Sequence, residues 1–162
     1  MHRNAELIEK FYRAFQKRDG ATMASCYHRQ VQFSDPVFTD LQGERAGAMW
    51  QMLTERGKDL KVEFRDVRAD DAAGAAHWEA WYTFSGTGKK VHNVIDATFE
   101  FKDGLIVRHT DRFDLHRWAG QALGFMGKLL SGTSFLQNKV RGTAAKSLED
   151  YIAKRKGGTQ PS

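Results

Sequence analysis

The stretch from His92 to Leu115, HNVIDATFEFKDGLIVRHTDRFDL, constrains the fold more than any other part of the chain. It reads as two long strands joined at Lys102-Asp103-Gly104. Asp-Gly between two alternating apolar runs is a strong hairpin signal, and Gly104 tolerates the positive φ of such a turn. The register decides which side chains share a face. A strict two-residue loop would set Asp96 opposite Asp111, but it would also place Phe99 beside Arg108 and Ile95 beside Arg112. A three-residue turn with a Gly bulge avoids this. It gathers Ile95, Ala97, Phe99 and Phe101 with Leu105, Val107, His109, Asp111 and Phe113 on one face, and leaves Thr98, Glu100, Arg108, Thr110 and Arg112 on the other. His109 and Asp111 then stand among apolar groups on the inner face of a sheet, where desolvation is costly without a partner or a function.

The remaining segments read as support for that hairpin. Asn4 can cap a first helix whose Leu7, Ile8, Phe11, Tyr12, Ala14 and Phe15 form one apolar stripe, ended by Asp19-Gly20. A short helix spans Ala21 to about Tyr27. Val31, Phe33 and Asp35 then alternate with Gln32 and Ser34 as a brief strand that Pro36 terminates. A third helix runs from about Arg45 to Arg56, with Met49, Trp50, Met52 and Leu53 on its apolar face and Gly57 as its C-cap. Leu60 to Arg68 alternates as a strand, Asp70 to Gly74 turn, and AAHWEAWYTFSG follows as a strand with large residues on both sides. Trp78, Tyr82 and Phe84 lie on one face of it, His77 and Trp81 on the other. Such a strand is covered on both faces, which predicts a homodimer through this sheet. After the hairpin, His116 to Gly132 reads as an apolar helix loosened by glycines, and Ser134 to about Lys156 as a last helix with an apolar residue every fourth position. The end, from residue 157, is expected to fray.

At 162 residues and 41% hydrophobic content the chain supports one domain with a proper core. The single Cys26 excludes an internal disulfide framework, and no zinc-ligand spacing is present. The start lacks the apolar run of a signal peptide, no stretch reaches the length of a membrane span, and cytoplasm is the expected location. Residues 1–115 carry 17 Lys/Arg against 18 Asp/Glu, whereas 116–162 carry 8 against 2, so the net charge of +5 resides in the tail. The tail's charges interleave with a helical apolar pattern without any nucleic-acid motif, so no nucleic-acid partner is expected. Docking of the tail on the pocket mouth or a partner subunit is favoured over contact of the C-terminal helix with a membrane surface.

The order helix, helix, short strand ending in Asp-Pro, helix, then four long strands resembles the nuclear transport factor 2-like superfamily. That group includes SnoaL-like polyketide cyclases, ketosteroid isomerases and limonene epoxide hydrolases. The resemblance covers roughly residues 4–115 and implies an α+β fold in which a cone-shaped, curved mixed sheet wraps around the long N-terminal helix and encloses an apolar pocket. The domain is then 1–115, with a C-terminal helical extension over 116–156. By similarity to ketosteroid isomerases, Tyr12 in FYRAF matches their oxyanion Tyr, Asp35 in FSDPV their general base, and Asp96 in VID their protonated acid. In chemical terms a carboxylate at the mouth of an apolar pocket shuttles a proton between carbons, while a phenol and a neutral acid donate to the enolate. By similarity to limonene epoxide hydrolases and SnoaL-like cyclases, Asp111 in TDRFDL matches a last-strand catalytic Asp, with His109 beside it.

The catalytic candidates are therefore Asp35, Asp111, His109, Tyr12 and Asp96. The candidate ligand-lining residues are Phe15, Phe33, Trp50, Leu53, Trp78, Phe99 and Phe113. A small hydrophobic molecule is the expected ligand, and with no nucleotide or metal motif present no cofactor or metal is expected. Two readings stand: a cofactor-free enzyme of isomerase, cyclase or, less closely, epoxide hydrolase type, and a binding or interaction module that kept the shell without the chemistry.

Overall fold

A computed structural model describes residues 1–159. Helices α1 (Arg3–Gln16) and α2 (Gly20–Ser25), strand β1 (Tyr27–Ser34), the short β2 (Leu41–Gln42) and helix α3 (Glu44–Arg56) precede four long strands. These are β3 (Lys61–Ala69), β4 (Ala73–Thr83), β5 (Lys90–Lys102) and β6 (Leu105–Arg112). Helices α4 (Leu115–Leu123), α5 (Phe125–Leu130) and α6 (Ser134–Thr159) complete the chain. The strands form one open, curved sheet in the order β2-β1-β6-β5-β4-β3, antiparallel except where β1 runs parallel to β6. This is the α+β architecture expected, with a mixed sheet and a helical extension.

The apolar stripe of α1 buries Ile8, Phe11, Tyr12 and Phe15, and Gln16 fastens the helix to the sheet by donating to the Val62 carbonyl at 3.1 Å. The cap of α1 is His2 rather than Asn4: His2 Nδ1 accepts from the Asn4 amide at 3.0 Å. Asn4 is instead buried and donates from its side chain to the Asp70 carbonyl at 3.0 Å, tying the helix start to the β3–β4 turn. Asp70 was the expected start of that turn, and it accepts from the amides of Ala72 and Ala73.

The hairpin keeps the expected register, with Phe99 opposite His109, Ala97 opposite Asp111 and Asp96 opposite Arg112. Its means differ. Asp103 and Gly104 both have positive φ, 54° and 75°, as a two-residue primed turn requires, and Lys102 pairs directly with Leu105. The extra residue sits further on, at Val107, between the Phe101–Ile106 and Glu100–Arg108 pairs. Side-chain direction switches there. Ile106 is therefore fully buried while Leu105 and Val107, expected inside, are half-buried; beyond the bulge His109 and Asp111 point inward as expected.

Two boundaries move. Tyr27 opens β1 instead of closing α2, and β1 shifts register between Tyr27 and Gln32. The expected single helix after the hairpin is broken at Gly124, whose φ of 82° is available to glycine and strained elsewhere. Trp118 of α4 joins Val91, Ala119 and Ala122 in a second small core beside the main one. Helix α6 buries Leu148 against the main core next to α3, pairs Glu149 with Arg45, and donates from Arg141 Nε to the Pro36 carbonyl at 3.0 Å. It is described as far as Thr159; residues 160–162 of the expected frayed end lie outside the described residues.

Candidate functional site

Beneath the hairpin a chain of buried polar groups crosses the core. Trp50 on α3 donates its indole N–H to the Tyr27 hydroxyl at 2.7 Å, and that oxygen lies 2.7 Å from His109 Nδ1. His109 Nε2 lies 2.8 Å from Asp111 Oδ1, which also accepts from Trp78 Nε1 at 3.3 Å. An indole nitrogen can only donate, so Tyr27 accepts from Trp50, and the tautomer that uses the Tyr27 proton as well has Tyr27 donating to Nδ1 and His109 donating from Nε2 to Asp111. One member is left open. Asp111 Oδ2 is buried and has no hydrogen-bond partner.

The hydroxyl of Tyr12 is orphaned in the same way. The two residues border the same indole: the Tyr12 ring is 6.0 Å from Trp78, whose N–H holds Asp111. Burial pushes the Tyr12 phenol well above its usual range and the Asp111 charge pushes it further, so Tyr12 remains a hydrogen-bond donor at any ordinary pH. Burial raises Tyr27 in the same direction, opposed by the Trp50 hydrogen bond. A buried polar atom without a partner costs about 1–3 kcal/mol, and these two differ in kind: the Tyr12 hydroxyl can donate and Asp111 Oδ2 can accept.

Asp35 sits where β1 ends. Its Oδ1 accepts from the amides of Val37 and Phe38 at 2.7 and 2.6 Å, which is the turn chemistry of an Asp before Pro. Burial lifts its carboxyl to about 7 against the pull of the Phe38 amide, and the Asp111 charge adds to the rise. Near it, the Tyr82 hydroxyl accepts from Trp118 Nε1 at 2.8 Å and is pushed up to about 12, mainly by burial and also by the Asp35 charge. The α6 residue Arg141 bonds the carbonyl of Pro36, next in sequence to Asp35.

The structure thus brings Tyr12, His109 and Asp111 together, with Asp35 close enough to feel the Asp111 charge. It sets Asp96 apart. Asp96 is exposed on the opposite face of β5, 2.9 Å from His77 Nδ1, because the register that turns Ile95 and Ala97 inward turns Asp96 outward. Its partner is that imidazole, not the Arg side chains beside it. Of the expected lining residues, Phe15, Phe33, Trp50, Trp78 and Phe99 are buried around His109 and Asp111, and Phe113 is half-buried between the two cores. Leu53 is exposed, since α3 presents Met52 to the core in its place.

The interior is not the open pocket expected. Phe99, Phe33, Phe11 and Trp50 stand 4.4, 5.0, 5.5 and 6.0 Å from the His109 ring, and Phe15 fills the space between Trp50 and Trp78. Two concavities of about 450 and 280 Å³ lie elsewhere, one along α1 and α2 and one on the outer sheet face beside His77 and Asp96, both lined with charges. Among the described residues no group of three or more His, Cys, Asp or Glu side chains is arranged to hold a metal ion.

Tyr27 and the Tyr82–Trp118 pair escape a reading of the sequence. The irregular pairing after Tyr27 breaks the period-two pattern that would have placed it in β1 facing inward, and Trp118 meets Tyr82 only through the fold.

A family model for the SnoaL-like domain matches residues 8–109, more than half of the chain. No curated protein sequence matches. Among solved structures, an LEH-like epoxide hydrolase of M. tuberculosis superposes with a TM-score of 0.61 at 20% identity, covering 80% of this chain and 94% of its own. A candidate polyketide cyclase from Xanthomonas campestris pv. campestris gives 0.62 at 21% identity, over 74% of this chain and 96% of that one. IdmH, a candidate polyketide cyclase from Streptomyces antibioticus, gives 0.60 at 21% identity, over 76% and 100%. At these identities the likeness is one of fold.

Proposed function

This chain belongs to the SnoaL-like family, and on that premise we propose that it binds a small apolar molecule bearing an enolisable carbonyl or hydroxyl and moves a proton on it without a cofactor, as isomerases and cyclases of this fold class do. The observation that carries the reading is the pair of unpartnered buried atoms, Tyr12 Oη and Asp111 Oδ2. A phenol wants an acceptor and a carboxylate wants a donor. One ligand hydroxyl in its enol form satisfies both: its oxygen accepts from Tyr12 and its O–H donates to Asp111 Oδ2; ketonisation passes that proton to Asp111 as a protonated Asp35 returns one to carbon, and enolisation reverses both transfers. His109, held by Tyr27, keeps the other Asp111 oxygen occupied and so aims the free one. Asp35, with a carboxyl at about 7 and one oxygen outside its turn hydrogen bonds, is matched to take a carbon-bound proton near neutrality.

A second reading is a binding or interaction module that kept the shell without the chemistry, and the rings that crowd the interior favour its interaction form. Exchange in D2O separates the two. With cyclic enones and aromatic β-diketones as probes, proton NMR is expected to show deuterium entering the carbon next to the carbonyl. The rate should rise as pH passes about 7 and be lost in Asp35→Asn and in Asp111→Asn. Probes that shift the melting temperature yet exchange no faster than in buffer would establish the binding module instead. An epoxide in the same panel tests the hydrolase reading.

A further inference from the structure

Helix α5 shows the side of itself that the fold does not use. Gly127 faces α4 so closely that an added Cβ would collide with Leu123 and the Ala119 carbonyl, and this turns the opposite face outward. Phe125 and Leu129 occupy that face with exposures of 77% and 63%, Met126 flanks them, and Phe135 protrudes from the first turn of α6 at 74%. The two pieces are fastened together, since Gln137 donates to the Ser131 carbonyl at 3.0 Å and the Thr133 amide to the Leu130 carbonyl at 2.9 Å. Large apolar side chains this exposed, on adjoining helices, mark a surface that something covers.

Charge chooses the occupant. From Leu115 to Leu148 the chain carries Arg117, Lys128, Lys139, Arg141 and Lys146 and no Asp or Glu. A second copy docked through the same segment would bring its cations against identical cations, and the segment has no acid to answer them. Among the described residues no helix is long and apolar enough to cross a bilayer, so the segment would rest on a surface. We propose that α5 and the start of α6 dock this protein on an anionic lipid bilayer, with Phe125, Met126, Leu129 and Phe135 inserted among the acyl chains and Lys128 and Lys139 at the headgroups. Apolar insertion flanked by cations is the physical pattern of interfacial segments. The inference stands whatever chemistry the buried acids perform.

The test is co-sedimentation of the full chain with vesicles of phosphatidylcholine alone and of phosphatidylcholine mixed equally with phosphatidylglycerol. The protein is expected to pellet with the mixed vesicles, to remain in the supernatant with the neutral ones, and to be released as salt is raised. Phe125→Ser with Leu129→Ser and Phe135→Ser should abolish pelleting while the circular dichroism is unchanged. Lys128→Glu with Lys139→Glu, which leaves the apolar patch intact, should weaken partition more than about tenfold. A wild-type chain that stays in solution overturns the proposal. So does a serine variant that still pellets, or one whose only change on size exclusion is conversion from an oligomer to a smaller species.

Discussion

Asp35 does two things at once: it ties off β1 through the Val37 and Phe38 amides, and it carries a carboxyl whose burial lifts it to about 7. An acid raised on folding binds more protons in the native than in the unfolded state, so stability falls as pH rises from the unfolded value near 4 and levels off above about 7. Asp35→Asn keeps the amide acceptor and removes the charge. It is expected to flatten that decline and to raise stability at pH 8 by about 2 kcal/mol, a figure reduced for the partial exposure of the residue, as read by urea unfolding at several pH values. A parallel, undiminished decline in the variant would place the titration elsewhere. That Asp35 closes β1 and that Asp111 points into the core was legible in the sequence, because an Asp before Pro and an acid on an apolar strand face are both conspicuous. The Tyr27–His109 contact was not, since it joins residues 82 apart through a strand whose alternation is interrupted.

At the scale of elements, the hairpin shows what alternation can and cannot decide. It selected the inward face of β5 and the inward His109 and Asp111, because the alternative register buried Arg side chains. It could not locate the bulge, since Val107 and a three-residue turn produce the same pairing beyond it, and Ile106 therefore went unrecognised as core. Gly124 was legible as a weak point and not as a break, because only its positive φ separates α4 from α5. The docking of α6 was the least legible. Its stripe of Leu148, Tyr151 and Ile152 needed α3 as a partner, and nothing local names that partner. Leu148→Ala removes a fully buried side chain from this contact and is expected to cost about 2–4 kcal/mol, with hydrogen exchange of α6 amides rising more than that of β5. Equal changes in both elements would mean that α6 is part of the main cooperative unit.

For the whole molecule, the outer face of the sheet carries a network of its own. Glu79 holds His92 at 2.7 Å and His77 at 3.0 Å, Arg65 joins at 3.1 Å, and Trp81 stacks on His92 with ring centres 4.5 Å apart. Its charges are answered within the network, and the homodimer expected from the sequence is proposed to use Trp81, over whose ring Lys61 Nζ lies 5.4 Å from the centre. Sedimentation velocity is expected to give the mass of two chains, and Trp81→Glu the mass of one; a single-chain mass for the unaltered protein would remove the homodimer from the account. The extension at the other end has a wider bearing. Arg141 latches α6 to the carbonyl beside Asp35, and the start of the same helix carries the protruding Phe135. Two events that draw on one latch are bound by reciprocity. If a guest enters beside Asp35 only with Arg141 released from Pro36, and that release also changes the helix's hold on its outside surroundings, each event shifts the other by an equal factor.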